Sequence, residues 1–141
     1  METEARTAPT KNAMKILITG SSGLVGSALV EYLFNEGHSI QCLKRNKRTG
    51  ETDFWATHDI GEEDVSECQA VIHLAGENVA SGRWTATKKN SILRSRVDGT
   101  RQLVDYISHL PVKPNVFLCA SAVGYYGSRG SEIVDEKSGL G

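Results

Sequence analysis

Short apolar runs alternate with amphipathic stretches along the chain, and the first pair sets the pattern. Residues 15–19, KILIT, form a β-favouring run that stops at Gly20, and over 24–35 the apolar Leu24, Val25, Ala28, Leu29, Tyr32 and Leu33 recur with a helical period. Glu36-Gly37 closes that helix, because glycine takes the left-handed conformation past a last turn without a Cβ penalty. Residues 38–43 then read as a second strand, 53–56 as a shorter third, and the polar GEEDVSEC segment over 61–68 as a helical turn. A fourth strand, QAVIHL at 69–74, ends at Ala75-Gly76. The span 85–110 predicts a long helix, with Ile92, Val97, Leu103, Val104 and Ile107 at helical separations and Pro111 and Pro114 beyond its end. NVFLCA, 115–120, supplies a fifth strand.

Strands of nearly continuous apolar character alternating with helices predict a parallel sheet buried on both faces. Right-handed crossovers then give an α/β fold of the Rossmann type, a doubly wound parallel sheet of strand order 3-2-1-4-5. The segment 122–141 is rich in glycine, serine and charge and adds no sixth strand, so the sheet reads as truncated after about five strands. Residues 1–13 are polar and read as a flexible leader; 14–141 read as one incomplete amino-terminal domain.

Composition narrows the partners. A chain of 141 residues, 39% hydrophobic and 23% charged, is an ordinary soluble domain, and 16 basic against 17 acidic residues give a formal charge of −1. No long-range field therefore draws it to nucleic acid or an anionic membrane, and no stretch approaches the ~18 apolar residues of a membrane span. Cys42, Cys68 and Cys119 are odd in number and set in apolar contexts, which predicts buried, reduced thiols in a cytoplasmic protein. His38, His58, His73 and His109 show no metal-ligand spacing, and His73, inside a strand, reads as a packed core histidine.

Gly20, Gly23 and Gly26 fall between the first strand and the first helix, where a dinucleotide pyrophosphate binds. In that reading Gly20 permits the tight turn and Gly23 a close backbone approach to phosphate, while Gly26 lets the helix pack on the strand. Ser21, Ser22, Leu24 and Val25 complete the cradle with their backbone N–H groups and the helix dipole. The second strand ends in CLKRNKR. An NAD site usually carries an acidic residue there; Lys44 and Arg45 match a 2′-phosphate better, so NADP(H) is preferred over NAD(H), the alternative being a solvated basic turn. After the third strand Asp59 and Ile60 are placed either against adenine or in a simple turn. After the fourth, Leu74, Ala75, Gly76 and Glu77 pass the adenosine ribose.

TGSSGLVG, 19–26, resembles the TGxxGxxG loop of the extended short-chain dehydrogenases/reductases, the NAD(P)-dependent epimerase/dehydratase superfamily. The block HLAGENVASGRWTATKKNSILRSRVDGTRQLV, 73–104, with SAVGYYGSRG, 121–130, is similar to an uncharacterised subfamily described as sugar-nucleotide epimerase-like or cell-division-inhibitor-like. The resemblance implies a Rossmann fold, NADP binding and, in a protein about twice this length, a substrate lobe and hydride transfer to a nucleotide sugar or similar carbonyl substrate. It also implies a catalytic Ser or Thr and a Tyr-x-x-x-Lys pair. Here Ala122 stands at the hydroxyl position, with Ser121 one residue before it and, on a strand, turned to the opposite face. Arg96 replaces the asparagine of an N-x-x-G-T pattern, and no Tyr-x-x-x-Lys occurs. Tyr125 and Tyr126 read as loop-packing aromatics, and Arg83-Trp84 either lines the pocket mouth or makes an exposed contact at the helix start.

Three functions follow. The chain is the NADP(H)-binding portion of a nucleoside-diphosphate-sugar epimerase or oxidoreductase, inactive alone; or a non-catalytic NADP(H) sensor; or a structural fragment of little affinity. In the last case the open edge of the fifth strand invites pairing with another chain.

Overall fold

The computed structural model describes residues 12–43, 65 and 67–141. Its elements are β1 (Lys15–Thr19), α1 (Leu24–Asn35), β2 (Ser39–Leu43), β3 (Ala70–His73), α2 (Ala86–Ser108), β4 (Val116–Cys119) and a 3-10 turn over Val123–Tyr126. The strands form one parallel sheet in the order β2-β1-β3-β4. That is the predicted order without its outermost member. The expected strand at 53–56, most of the 61–68 turn and the first eleven residues of the leader lie outside the described residues.

Each strand is one or two residues shorter than its apolar run or equal to it, and β1 carries the core. Ile16 and Ile18 face one side with Ala70, against Val30 and Leu33 of α1; Leu17 faces the other with Val71, Leu43, Val65 and Cys68, against Leu103, Tyr106 and Ile107 of α2 and near it Leu110. Alternate β1 side chains therefore enter two separate clusters, as a sheet covered on both faces requires. Each fully buried Leu or Ile contributes about 1.5–3 kcal/mol. Gly37 adopts φ +86°, and the N–H of His38 returns to the Leu33 carbonyl at 3.1 Å, which ends α1 as predicted. Thr85 caps α2 through its side chain, which accepts from the Lys88 N–H, so the helix proper begins one residue later than the apolar period indicates.

The helices bury positions that their apolar periods alone do not mark, and two expectations, a sheet buried on both faces throughout and a buried Cys119, need correction. On α1 Gly26 is buried and Val30 and Leu33 are half-buried against the sheet, while Leu24, Val25 and Tyr32 are exposed. On α2 the buried positions are Ser95, Gly99 and Leu103, and Val97 and Val104 are largely exposed. At Gly26 the close approach of the Gly20 backbone leaves no room for a larger residue. Finally, β4 is exposed along its whole length, and Cys119 with it, so that thiol is not buried. Among the described residues no helix follows β4 to lie back on its faces. None is long and apolar enough to cross a membrane either.

A buried polar chain crosses the core beneath the strand ends. The Ala75 N–H donates to Thr19 Oγ1 (3.3 Å), Thr19 Oγ1 meets His73 Nδ1 (2.6 Å), and His73 Nε2 meets Thr100 Oγ1 (3.0 Å). A neutral imidazole with its proton on Nε2 satisfies all three contacts and ties β1, β3 and α2 together. His73 is 2% exposed, and its desolvation holds its pKa below the ordinary histidine value of 6.5.

Two predictions follow. Since the unfolded chain takes up a proton at His73 more readily than the folded one, stability holds above about pH 6.5 and falls as pH drops below it toward the depressed folded value. Urea midpoints measured across that range are expected to decline on the acid side, and less so in His73→Asn; midpoints flat in the native protein contradict the assignment. At Gly26 an added Cβ would overlap the Gly20 carbonyl oxygen and come within 2.9 Å of Ser21 Cα. Gly26→Ala should therefore destabilise by about 1–3 kcal/mol despite its better helix propensity, read as a lower denaturant midpoint; an unchanged or raised midpoint contradicts the packing.

Candidate functional site

In an open parallel sheet the strand order reverses beside its first strand, and the loops leaving the carboxyl ends of the strands there enclose a crevice. Here β1 lies between β2 and β3, and its loop is the glycine turn. Gly20 sits at φ +75°, and a Cβ on it would come within 2.7 Å of the Leu74 carbonyl carbon and the Ala75 nitrogen. The turn after β1 and the loop after β3 are thus in backbone contact, which only glycine allows at this position. The Gly23 N–H closes the turn onto the Gly20 carbonyl at 3.0 Å, and a Cβ on Gly23 would meet only that oxygen, at 3.3 Å.

The end of α1 at this turn differs from that of α2. Gly23 is its N-cap and provides no side-chain hydrogen bond, and the first turn contains no acidic residue. The first N–H groups of a helix have no intrahelical acceptor. At Leu24 and Val25 no side-chain cap takes their place, in an exposed turn at the positive end of the helix dipole. Such an end suits an anionic group, and Ser21 and Ser22 flank it.

The loop after β3 is held by α2. The Glu77 N–H donates to Ser95 Oγ (2.9 Å), and the Glu77 carbonyl accepts from the Arg96 guanidinium (3.2 Å). The Glu77 carboxylate accepts from Lys88 Nζ (2.6 Å), which also reaches Ser81 Oγ (2.8 Å). Farther along, Trp84 Nε1 donates to the Val79 carbonyl at 2.9 Å. Lys88, Ser95 and Arg96 thus hold one residue by its side chain, its nitrogen and its oxygen. Their common target, Glu77, is placed from the sequence and Arg96 is singled out there as replacing an asparagine, whereas Lys88 and Ser95, seven residues apart and so on one face of the helix, are not.

A cavity of about 520 Å³ opens between this loop and the end of β4, lined among others by His73, Gly76, Arg96, Thr100, Ser121 and Ala122. It brings Leu74, Ala75, Gly76 and Glu77 together with Ser121. The glycine turn, Gly20 to Val25, lies behind Leu74 and Ala75 and touches them through Gly20. Lys44, Arg45, Asp59 and Ile60 lie outside the described residues; the last described residue of β2, Leu43, pairs with Thr19. Ser121 and Ala122 both line the cavity, because β4 ends at Cys119 and the alternation of a strand no longer applies two residues later. Tyr125 and Tyr126 pack edge to face, 5.2 Å between centroids, away from the lining, and neither Arg83 nor Trp84 belongs to it. Among the described residues no three His, Cys, Asp or Glu side chains gather as a metal site.

The model of the NAD dependent epimerase/dehydratase family matches residues 16–140. A chloroplastic homolog of the epimerase family protein SDR39U1 from Arabidopsis thaliana is 34% identical over 142 residues, covering 93% of this chain and 41% of that protein. The crystal structure of human SDR39U1, isoform 2, with NADPH superposes with a TM-score of 0.75 at 29% identity, over 90% of this chain and 43% of that one. A short-chain dehydrogenase/reductase superfamily protein from Agrobacterium tumefaciens with bound NAD superposes with a TM-score of 0.62 at 28% identity, over 89% and 38% respectively. The chain therefore spans less than half the length of these relatives. With a parallel sheet in this order, a glycine turn in contact with the next strand's loop, and a family match over nearly its whole length, the chain belongs to the NAD dependent epimerase/dehydratase family.

Proposed function

We propose that the chain binds NADP(H) at the β1–α1 turn, as the cofactor-binding portion of an epimerase- or oxidoreductase-type protein acting on a nucleotide sugar or similar carbonyl or alcohol substrate. The observation that carries this reading is the uncapped start of α1, set over a turn where Gly20 and Gly26 have no space for a Cβ and Gly23 is exposed. A pyrophosphate fits that cradle: backbone donors converge on it and no side chain intrudes. Ser21, Ser22, Leu24 and Val25 would hold the phosphates. The nicotinamide, when bound, supplies the hydride chemistry of the family.

The remaining contacts are assigned from the sequence. Lys44 and Arg45, leaving the end of β2, are placed on the 2′-phosphate, and a fixed guanidinium fork suits that group. Asp59 and Ile60 are placed at adenine, and Leu74 to Glu77 along the ribose. The human relative solved with NADPH supports the phosphate-bearing cofactor, while the Agrobacterium relative holds NAD. Ser121 is the hydroxyl nearest the position of a catalytic Ser or Thr. The three cysteines, none of them in a disulfide, support a reducing compartment, the cytoplasm in this reading.

A second reading is favoured by Ala122 and by the lack of any Tyr-x-x-x-Lys in the sequence: the chain by itself binds the cofactor without turning it over. Both readings share the binding step, so that step is tested first. Isothermal titration should give an affinity for NADPH at least about tenfold above that for NADH, a difference of about 1.4 kcal/mol, and Arg45→Ala should remove the preference. Gly23→Ala should weaken NADPH at least about tenfold while changing stability by no more than about 1 kcal/mol, since its Cβ meets little of the protein itself. Equal affinities, or NADPH binding indifferent to Gly23→Ala, would contradict the assignment.

A further inference from the structure

The charge of the cavity is uneven in a way the cofactor does not explain. Its charged lining groups are Glu77 and Arg96. The Glu77 carboxylate is taken by Lys88 at 2.6 Å, and burial keeps His73 neutral. Arg96 has no carboxylate partner among the described residues. Its Nη1 donates to the carbonyls of Glu77 (3.2 Å) and Ile92 (3.3 Å) and lies 3.4 Å from Ser95 Oγ, while Nη2 and Nε make no hydrogen bond there. The guanidinium plane is also wedged against Gly76. A Cβ at that position would meet its carbon at 3.2 Å and both terminal nitrogens at 3.3 Å, so the guanidinium packs closely on Gly76.

Nη1 of the guanidinium is thus held by carbonyls, and Arg96, exposed, lines a cavity of about 520 Å³. Two hydroxyls share that cavity. Thr100 Oγ1 meets His73 Nε2 at 3.0 Å, and Ser121 makes no hydrogen bond among the described residues. A pre-positioned guanidinium fork with flanking hydroxyls is complementary to a planar or tetrahedral oxyanion. We infer that Arg96 is the anion-recognising residue of this cavity, and that the substrate bears a carboxylate or phosphate group close to its reacting carbon. The inference rests on the proposed function only in taking this cavity as the substrate's place. A plain sugar ring would leave the guanidinium without a counter-charge; an anionic one would supply it.

The test uses malonate and inorganic phosphate as probes, followed by amide and arginine side-chain NMR shifts, with NADPH affinity measured in parallel on the same samples. At least one probe should saturate and shift Gly76, Glu77 and Arg96 together. Arg96→Gln should weaken that probe at least about tenfold, with NADPH affinity changed less than about twofold. Arg96→Lys keeps the charge and a donor toward Glu77 while losing the fork, and should weaken the probe at least about threefold; it decides the matter if Arg96→Gln fails to fold. Saturation by neither probe overturns the inference. So does a probe affinity indifferent to both substitutions. A loss of NADPH affinity in step with the probe would assign the guanidinium to the cofactor's own phosphates and overturn it as well. If NADPH fails to bind while the probe depends on Arg96, the cofactor reading falls and this one stands.

Discussion

Gly20 touching the backbone of Leu74 and Ala75 is the contact on which the geometry of the site depends. It sets how near the loop after β3 comes to the turn after β1, and Gly26 packed on the Gly20 carbonyl sets how near α1 comes to both. With side chains at these two positions the helix would stand off the strand, and its first N–H groups would no longer lie at the crevice. The absence of a capping side chain on α1 follows the same logic. A cap would consume the donors that the turn exposes, whereas α2 is capped by Thr85.

The second layer of organisation is polar. Thr19, His73 and Thr100 join two strands and a helix beneath the crevice floor, and Glu77 is held at three atoms by α2 above it. Half-buried charge is acceptable here because each group has its partner: Lys88 and Glu77 keep 15% and 29% side-chain exposure and bond at 2.6 Å. Together these contacts place a rigid wall on the cavity side of Leu74 to Glu77, so the loop needs no ligand to take its shape.

Much of this was legible in the sequence, and the exceptions have physical causes. Strand runs such as KILIT and QAVIHL were unambiguous because parallel strands buried on both faces are apolar throughout, and Gly20 and Gly37 were placed correctly because positive φ singles out glycine. Hydrophobic periodicity located both helices but did not mark all of their buried positions. It weights large apolar residues, whereas Gly26, Ser95 and Gly99 are small residues that are buried, Gly26 against the Gly20 backbone. The opposition of Ser121 and Ala122 failed because the strand ends before them, a boundary composition does not mark. The clamp on Glu77 was hidden because it joins residues up to nineteen positions apart, through polar groups that read equally well as a solvated helix face. The basic pair Lys44-Arg45 and the pair Asp59-Ile60 remain readings of sequence.

The central claim is that the anionic middle of a nicotinamide dinucleotide lies on the β1–α1 turn, against the loop after β3. Backbone amide NMR of the labelled chain, titrated with NADPH, tests it most directly. The account predicts that the largest shifts fall together on Ser21 to Val25 and on Leu74 to Gly76, with the amino-terminal half of α2 little affected. Saturable shifts confined to other surfaces, such as the open face of β4, would contradict it.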